Sequence, residues 1–159
     1  MKDHVFYLKR TITLSELAVK HDNTPFGDLL ADPDGNIILE QENIEITEND
    51  CTGHAETALM RKATKLYDKD FLWNCILYTS VEPCAMCSGA IYWRNVGKIV
   101  YGISEKELLK LTGNNKQNPT LDLPCRKIFE YGQKEIEVEG PITEITEDIL
   151  EIHRKYWLE

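Results

Sequence analysis

The middle of the chain alternates between strand-like and helix-like segments, and this alternation limits the fold more than any other feature. NCILYTS (residues 74–80) and GKIVYGI (97–103) are typical of strands. Between them, CAMCSGAIYWRN (84–95) is typical of a helix that begins near Pro83. Because strands that alternate with helices build a sheet covered by helices on both faces, the pattern predicts an α/β fold.

The segments on either side of this unit extend the pattern. Apolar residues at helical spacing predict a first helix over residues 2–20, and FGDLLADPDGNIILE (26–40) is typical of a hairpin. A helix is predicted from Gly53 to about Tyr67, with Thr52 as its N-cap. The remaining segments predict helices over 105–111, 125–132 and 147–159, a loop over 112–124 and a strand over 134–140. Without an internal repeat, linker or low-complexity segment, residues 1–159 are expected to form a single domain.

Charge and hydropathy narrow the classes of partner. The chain has 18 Lys and Arg against 27 Asp and Glu, whereas non-specific nucleic-acid binding depends on neutralising phosphates with basic side chains. Its aliphatic runs are much shorter than the roughly 20 apolar residues of a membrane-spanning helix. Its start, MKDHVFYLKR, lacks the apolar segment of a secretory signal. We therefore expect a cytoplasmic protein whose partners include neither membrane nor nucleic acid.

The five cysteines do not indicate a disulfide framework, because their number is odd and no export signal is visible. Two of them, Cys84 and Cys87, form a C-x-x-C pair just after Pro83. Such a pair is a redox couple, two zinc ligands or two unrelated buried thiols. In the first turn of a helix the two sulfurs share a face, and the helix dipole favours thiolate over thiol. Redox and metal chemistry both benefit from this, so the pair alone leaves the choice open.

A histidine at the start of the preceding predicted helix favours the metal interpretation. If both helices begin at the same end of the sheet, His54 converges with Cys84 and Cys87. One His and two Cys form a three-ligand set for zinc and leave a fourth position for water. A structural zinc site usually closes that position with a fourth protein ligand, and no second His or C-x-x-C in the sequence obviously does so.

Glu56 distinguishes a catalytic metal from a structural one. It lies two residues after His54, so on a helix it is badly placed as a co-ligand but can overhang the open coordination position. The pattern H-x-E followed by P-C-x-x-C is the zinc deaminase signature, in which the Glu moves protons and is not a ligand. It predicts addition of water to an amidine-like ring carbon, with Glu56 carrying protons to the ring nitrogen and to the departing amine. The backbone around Ala55 and Cys84 is expected to position water or substrate.

Together with TPFG, ENDCTGHAE, CILYTSVEPCAMCSGAIYW and VYG, these residues carry a resemblance to a known family. The chain resembles the cytidine deaminase-like superfamily, in the branch of the guanine deaminases and tRNA adenosine deaminases, and is most similar to bacterial guanine deaminase. The resemblance covers residues 24 to 102 well. It implies a three-layer α/β/α sandwich with a five-stranded mixed sheet, one Zn²⁺ per subunit and a homodimer.

The resemblance also implies substrate-binding residues. Phe26 and Asn43, which lies eleven residues before His54, would contact the base, and Trp93 would help to wall the pocket. An aromatic residue of the C-terminal tail, Tyr156 or Trp157, would reach the active site from its own subunit or from the partner subunit.

Residues 103–125 depart from the guanine deaminase pattern, so the acids that read guanine are not identified there. Glu144, Glu147 and Asp148 are the candidates near the matching end of the chain. The predicted reaction is guanine to xanthine plus ammonia. The alternatives are adenosine-to-inosine editing of tRNA, which the net charge of −9 and the Phe of PFG disfavour, and deamination of cytosine or another aminated heterocycle. An inactive zinc-stabilised module and a redox pair are the alternatives outside deaminase chemistry.

Overall fold

A computed structural model describes residues 3–159 and shows a five-stranded mixed sheet in the order β2-β1-β3-β4-β5. The strands are β1 (Gly27–Ala31), β2 (Ile37–Glu42), β3 (Ile76–Val81), β4 (Lys98–Ile103) and β5 (Glu137–Glu139). β1 is antiparallel to both of its neighbours, whereas β3, β4 and β5 are parallel. The predicted hairpin and the predicted five-stranded mixed sheet are therefore confirmed.

Helices cover both faces of the sheet, as predicted. They are α1 (His4–Lys20), α2 (Ala55–Leu66), α3 (Lys69–Trp73), α4 (Ala85–Arg94), α5 (Glu105–Thr112), α6 (Cys125–Phe129) and α7 (Thr146–Leu158), with a 3₁₀ turn at Thr143–Ile145. Lys2, where the first helix was predicted to begin, lies outside the described residues. The short helix α3 was not predicted, since five residues carry too little periodicity; the Asp68 carboxylate caps it by accepting the Phe71 N–H at 2.8 Å.

Two apolar clusters, one on each face of the sheet, form the hydrophobic core between the sheet and the helices that cover it. Successive residues of β3 belong to different clusters: Tyr78 to the one that includes residues of α1, α5 and α7, and Leu77 to the one that includes residues of α2, α4 and α6. Both side chains are fully buried. Because truncating such a side chain leaves a cavity, Leu77→Ala would cost about 2–5 kcal/mol of the free energy of unfolding.

The first turns of α2 and α4 position the predicted metal ligands. Their N-cap residues are His54 and Cys84, both in extended conformation, and neither side chain makes a capping hydrogen bond. The imidazole and the thiol therefore remain available for other partners. The predicted cap Thr52 is wrong: it lies two residues before the helix, and its hydroxyl donates to the Asp50 carboxylate at 2.7 Å.

Between residues 3 and 159, no helix combines the length and the hydrophobicity that crossing a bilayer would require.

Candidate metal centre and substrate cavity

The side chains of His54, Cys84 and Cys87 converge at the shared edge of α2 and α4. One donor atom from each lies within 4.8 Å of the others, and the Cys84 Sγ atom is 3.6 Å from His54 Nδ1. The Thr57 hydroxyl donates to Cys87 Sγ at 3.2 Å, which fixes the inner thiol. A nitrogen and two sulfurs at these separations suit one zinc ion with bonds of about 2.0–2.3 Å. The donor set therefore fits zinc.

The three side chains of the cluster influence one another's pKa values. Hydrogen bonds from the Cys87 thiol and from His54 lower the pKa of Cys84 to about 4. The resulting thiolate raises the pKa of His54 to about 9 and, together with burial, raises that of Cys87 well above its usual value. A divalent ion that binds here displaces the protons on His54 and Cys87, because metal ligands coordinate in their deprotonated forms.

Glu56 lies beside the cluster in the first turn of α2, outside the three-donor set. Its side chain is 7% exposed, and burial followed by the Cys84 thiolate raises its pKa to about 7. A carboxyl group with this pKa is present in both protonation states near neutral pH. It can therefore accept a proton and give it up again, which is the property that general acid–base catalysis requires.

A cavity of about 300 Å³ adjoins this centre and exposes His54, Glu56 and Cys84. Its apolar lining includes Phe26, Val81, Leu108, Pro119 and Leu121, and its acidic lining consists of Glu45, Glu56, Glu82 and Glu105. Among the described residues that line it, none is Lys or Arg. The loop between α5 and α6, represented by residues 117–121, forms part of the wall.

The structure places two of the predicted substrate-binding side chains on the cavity. Phe26 lines it, and so does Asn43, which is 2% exposed. The Asn43 Oδ1 atom accepts the Glu45 N–H at 3.0 Å, so the amide nitrogen is the group left to donate to a ligand. Ala55 is fully buried in the first turn of α2 and does not line the cavity with its side chain, so only its backbone could serve there.

Trp93 does not line the cavity, contrary to the prediction. Its side chain is 74% exposed and packs edge-on against Tyr92. Helix α4 begins at the site, and Trp93 lies nine residues beyond Cys84, which along a helix corresponds to about 13 Å. The helix therefore carries this ring away from the centre.

The C-terminal helix of the same chain borders the site. Tyr156 lines a groove that shares Glu45, Cys51 and Gln117 with the cavity. The Trp157 Nε1–H donates to His153 Nδ1 at 3.1 Å, and the His153 ring packs edge-on against Phe26 at 5.2 Å. Trp157 thus supports Phe26 through His153.

The acidic candidates near the C-terminus do not line the cavity. Glu147 pairs with Arg154 at 2.7 Å, and neither Glu144 nor Asp148 is among the cavity residues.

Glu45, Glu82 and Glu105 are cavity acids that the sequence does not single out, and Glu105 lies in the first turn of α5. It lines the cavity and is 8% exposed, and burial followed by the Cys84 thiolate raises its pKa to about 8. In the sequence it looks like any acidic residue at a helix start. The available signal was its place directly after β4, since the carboxyl ends of neighbouring parallel strands meet at one edge of a sheet.

Comparisons with known proteins agree with this geometry. The family model for the cytidine and deoxycytidylate deaminase zinc-binding region matches residues 1–103. A probable cytosine deaminase of Schizosaccharomyces pombe is 36% identical over 151 residues, which cover 95% of this chain and 90% of that protein. The guanine deaminase of Bacillus subtilis is 45% identical over 100 residues, which cover 62% of this chain and 64% of that enzyme.

A solved structure shares the fold. The guanine deaminase from Nitrosomonas europaea superposes with a TM-score of 0.76 and 20% identity, covering 96% of this chain and 84% of that one.

Proposed function

The chain belongs to the zinc-binding cytidine and deoxycytidylate deaminase family, and we propose that it deaminates a small free base or nucleoside, guanine being the first substrate to test. As a zinc-dependent deaminase it is a hydrolase that acts on the C–N bonds of cyclic amidines. The chemistry of the family thus defines the bond that breaks, and the volume and acidic lining of the cavity support a small molecule as the substrate.

One observation supports a small substrate: the centre opens into a cavity of about 300 Å³ that is partly walled by residues 117–121 and has no Lys or Arg among its described lining residues. A folded RNA substrate would need basic side chains to hold its phosphates and an open surface from which to flip its base. The acidic lining instead suits an uncharged molecule that presents N–H groups.

The three donors His54, Cys84 and Cys87 would hold the zinc ion. When bound, the ion would act as a Lewis acid and lower the pKa of a water molecule. The Glu56 carboxylate accepts a proton from that water as its oxygen adds to the amino-bearing ring carbon. Glu56 would then give this proton to the adjacent ring nitrogen, accept the remaining proton of the added hydroxyl group and deliver it to the amine. The hydroxyl oxygen becomes the carbonyl oxygen of the product as the C–N bond breaks and ammonia leaves.

Other residues would orient the base. Phe26 offers a flat apolar ring for stacking, and its position is supported from behind by His153. The Asn43 amide nitrogen would donate to an acceptor atom of the substrate, and the backbone at Ala55 would position the reacting group.

Cytosine is the second candidate substrate, for a specific reason. The relative that is similar over 95% of the chain is named a probable cytosine deaminase, whereas the match to the guanine deaminase covers 62% of the chain. Residues after Ile103 supply Leu108 and the 117–121 segment to the cavity wall, so a match through this region bears on substrate choice.

We also propose that residues 1–159 form one deaminase domain with a single zinc ion per chain. Homodimer formation and a cytoplasmic location remain predictions from the sequence.

A substrate panel tests the proposal. The zinc-loaded enzyme is incubated with guanine, guanosine, cytosine and an RNA stem-loop carrying a wobble adenosine, and ammonia release is measured against Glu56→Gln as the blank. We expect turnover of a free base or nucleoside and none of the stem-loop. Turnover of the stem-loop alone would overturn the proposal, and turnover of cytosine but not guanine would select the second candidate.

A further inference from the structure

Glu105 carries a buried carboxyl group that the protein itself does not satisfy. The side chain is 8% exposed and lines the same cavity as Glu56 and Cys84. Within residues 3–159 its carboxyl group makes neither a hydrogen bond nor an ion pair, and its electrostatic neighbours are Cys84, Glu56, Glu82 and His54. An unpaired buried carboxyl group lowers the stability of the folded protein. A native fold retains such a group where a ligand supplies the missing partner.

The ordinary explanation for an acid at a helix start does not account for Glu105. Acids there complement the helix dipole, but Glu107 in the same turn already does so from the surface and pairs with Lys110 at 3.8 Å. The first turn is capped by Ser104, whose hydroxyl accepts the Glu107 N–H at 3.1 Å. Neither role requires a second carboxyl group that is buried and faces the cavity.

Glu82 holds Glu105 in this position. One oxygen of the buried Glu82 carboxylate accepts the Glu105 N–H at 3.0 Å, and the other accepts the Cys125 N–H at 2.9 Å. The Glu82 N–H donates to Ile103 O at 2.8 Å. Glu82 therefore ties down both ends of the segment 105–125, which contains the cavity-lining loop, and is a positioning residue for Glu105.

The cavity offers a donor, and among its four acidic residues Glu105 is the one whose carboxyl group makes no hydrogen bond or ion pair within residues 3–159. The Glu45 carboxylate lies 3.8 Å from His54 Nε2 and accepts from the Thr24 hydroxyl, and both Glu82 oxygens accept backbone N–H groups. The Asn43 amide nitrogen donates, and Glu56 is occupied with proton transfer. An aminated heterocycle brings N–H groups, on its amine and on its ring, that need acceptors once water is excluded. We propose that Glu105 is a substrate-binding residue, which accepts hydrogen bonds from these N–H groups and so selects heterocycles with an N–H donor edge. This inference rests on the proposed function, since it requires such a substrate.

The test compares Glu105→Gln with Glu107→Gln, a matched change in the same helical turn. Both are measured for KM and kcat on the base that the wild type turns over best, for zinc per chain, and for Tm. At pH 9, where the Glu105 carboxyl group with its pKa of about 8 is ionised, we expect Glu105→Gln to raise KM about 10- to 100-fold with a smaller change in kcat, because a charge-assisted hydrogen bond in the bound state is lost. Zinc content stays the same and Tm is equal or higher, because the unpaired carboxyl group is gone. Glu107→Gln changes KM less than about twofold.

Two results overturn the inference: an unchanged KM in Glu105→Gln, or a fall in Tm, which would make Glu105 a structural residue. Failure of the proposed function looks different, since the wild type itself would then release ammonia from none of the bases. In that event the Tm of Glu105→Gln still decides: a lowered Tm refutes the inference, and an equal or higher Tm supports a carboxyl group that awaits a ligand.

Discussion

Two parts of the chain build the same cavity in different ways. Up to Ile103, the reactive side chains lie at the first turns of α2 and α4, close to one another in short motifs. After Ile103, the cavity is lined by one helix start and by the loop between α5 and α6, which are held by the buried Glu82 carboxylate. The first part carries the side chains that we propose bind zinc and transfer protons, and the second part completes the wall of the cavity.

The difference shows in how each part uses a buried carboxyl group. Asp28 in β1 is fully buried, does not line the cavity and has no hydrogen-bond partner for either oxygen within residues 3–159. Glu105 is also unpaired, but it faces the cavity. An unpaired buried carboxyl group therefore indicates a function only where a ligand can reach it.

The largest expected effect is on turnover and is caused by replacing Glu56, in the part of the chain before Ile103. Glu56→Ala is expected to lower turnover by several orders of magnitude, because it removes proton transfers that each contribute about 10²–10⁴-fold. Zinc content and Tm should stay near those of the wild type, since Glu56 is not a ligand. Steady-state ammonia release and metal analysis measure this, with the exposed Glu48→Gln as control. A Glu56→Ala enzyme of normal activity would contradict the mechanism.

The next effect is on metal binding. Cys87→Ser is expected to weaken zinc affinity more than about 100-fold, since even an outer-shell partner is worth about 10–100-fold. Competition with a chromophoric chelator measures this, and Cys51→Ser, which alters an exposed thiol outside the cluster, is the control. Stoichiometric zinc of unchanged affinity in Cys87→Ser would remove Cys87 from the ligand set.

A smaller effect is expected at Glu82, whose carboxylate holds both ends of segment 105–125. Glu82→Gln replaces one acceptor with an NH₂ group that faces a backbone N–H, so we expect a loss of about 1–3 kcal/mol in the free energy of unfolding. Denaturant unfolding measures it, with the exposed Glu130→Gln as control. Full stability in Glu82→Gln would mean that segment 105–125 is held by other contacts.

The free energy of unfolding measured over a range of pH tests the state of the buried Asp28 carboxyl group. Burial first and then Glu56 raise the pKa of Asp28 well above its usual value, so the folded chain keeps a proton that the unfolded chain releases above about pH 4. Stability therefore falls as pH rises from there toward the folded-state pKa, by about 1.4 kcal/mol per pH unit for this one proton. Asp28→Asn should flatten the profile by that amount, and an identical slope in both proteins would contradict the assignment.

The smallest expected effect is at Trp93. Because its ring is exposed and distant from the centre, Trp93→Ala should change KM less than about twofold on any base that is turned over. Steady-state kinetics across a range of protein concentrations measures this. A large rise in KM would mean that a second copy of the chain brings this residue to the cavity.

Local patterns were sufficient for the first part of the chain. Strand and hairpin patterns gave all five strands, and His54, Glu56 and the Cys84–Cys87 pair follow from spacing and from helix starts. Two expectations differ from the structure. Thr52, which the local pattern predicted as the N-cap of α2, bonds to Asp50, and Trp93, which the family resemblance placed on the pocket wall, is exposed and does not line the cavity. At Thr52 the helix starts two residues later than predicted, whereas Trp93 lies too far along a helix that starts where it was predicted.

The sequence by itself determined the alternating elements, the three side chains that fit a zinc ion and the carboxyl group beside them, because these depend on periodicity and on residues close along the chain. Only the tertiary structure decided which later residues meet the cavity. Glu82, Glu105 and Cys125 are far apart in sequence, and their hydrogen bonds form only when parallel β3 and β4 end at the same edge. A contact of that kind leaves no periodic trace, since it depends on the register between strands and on the path of a loop.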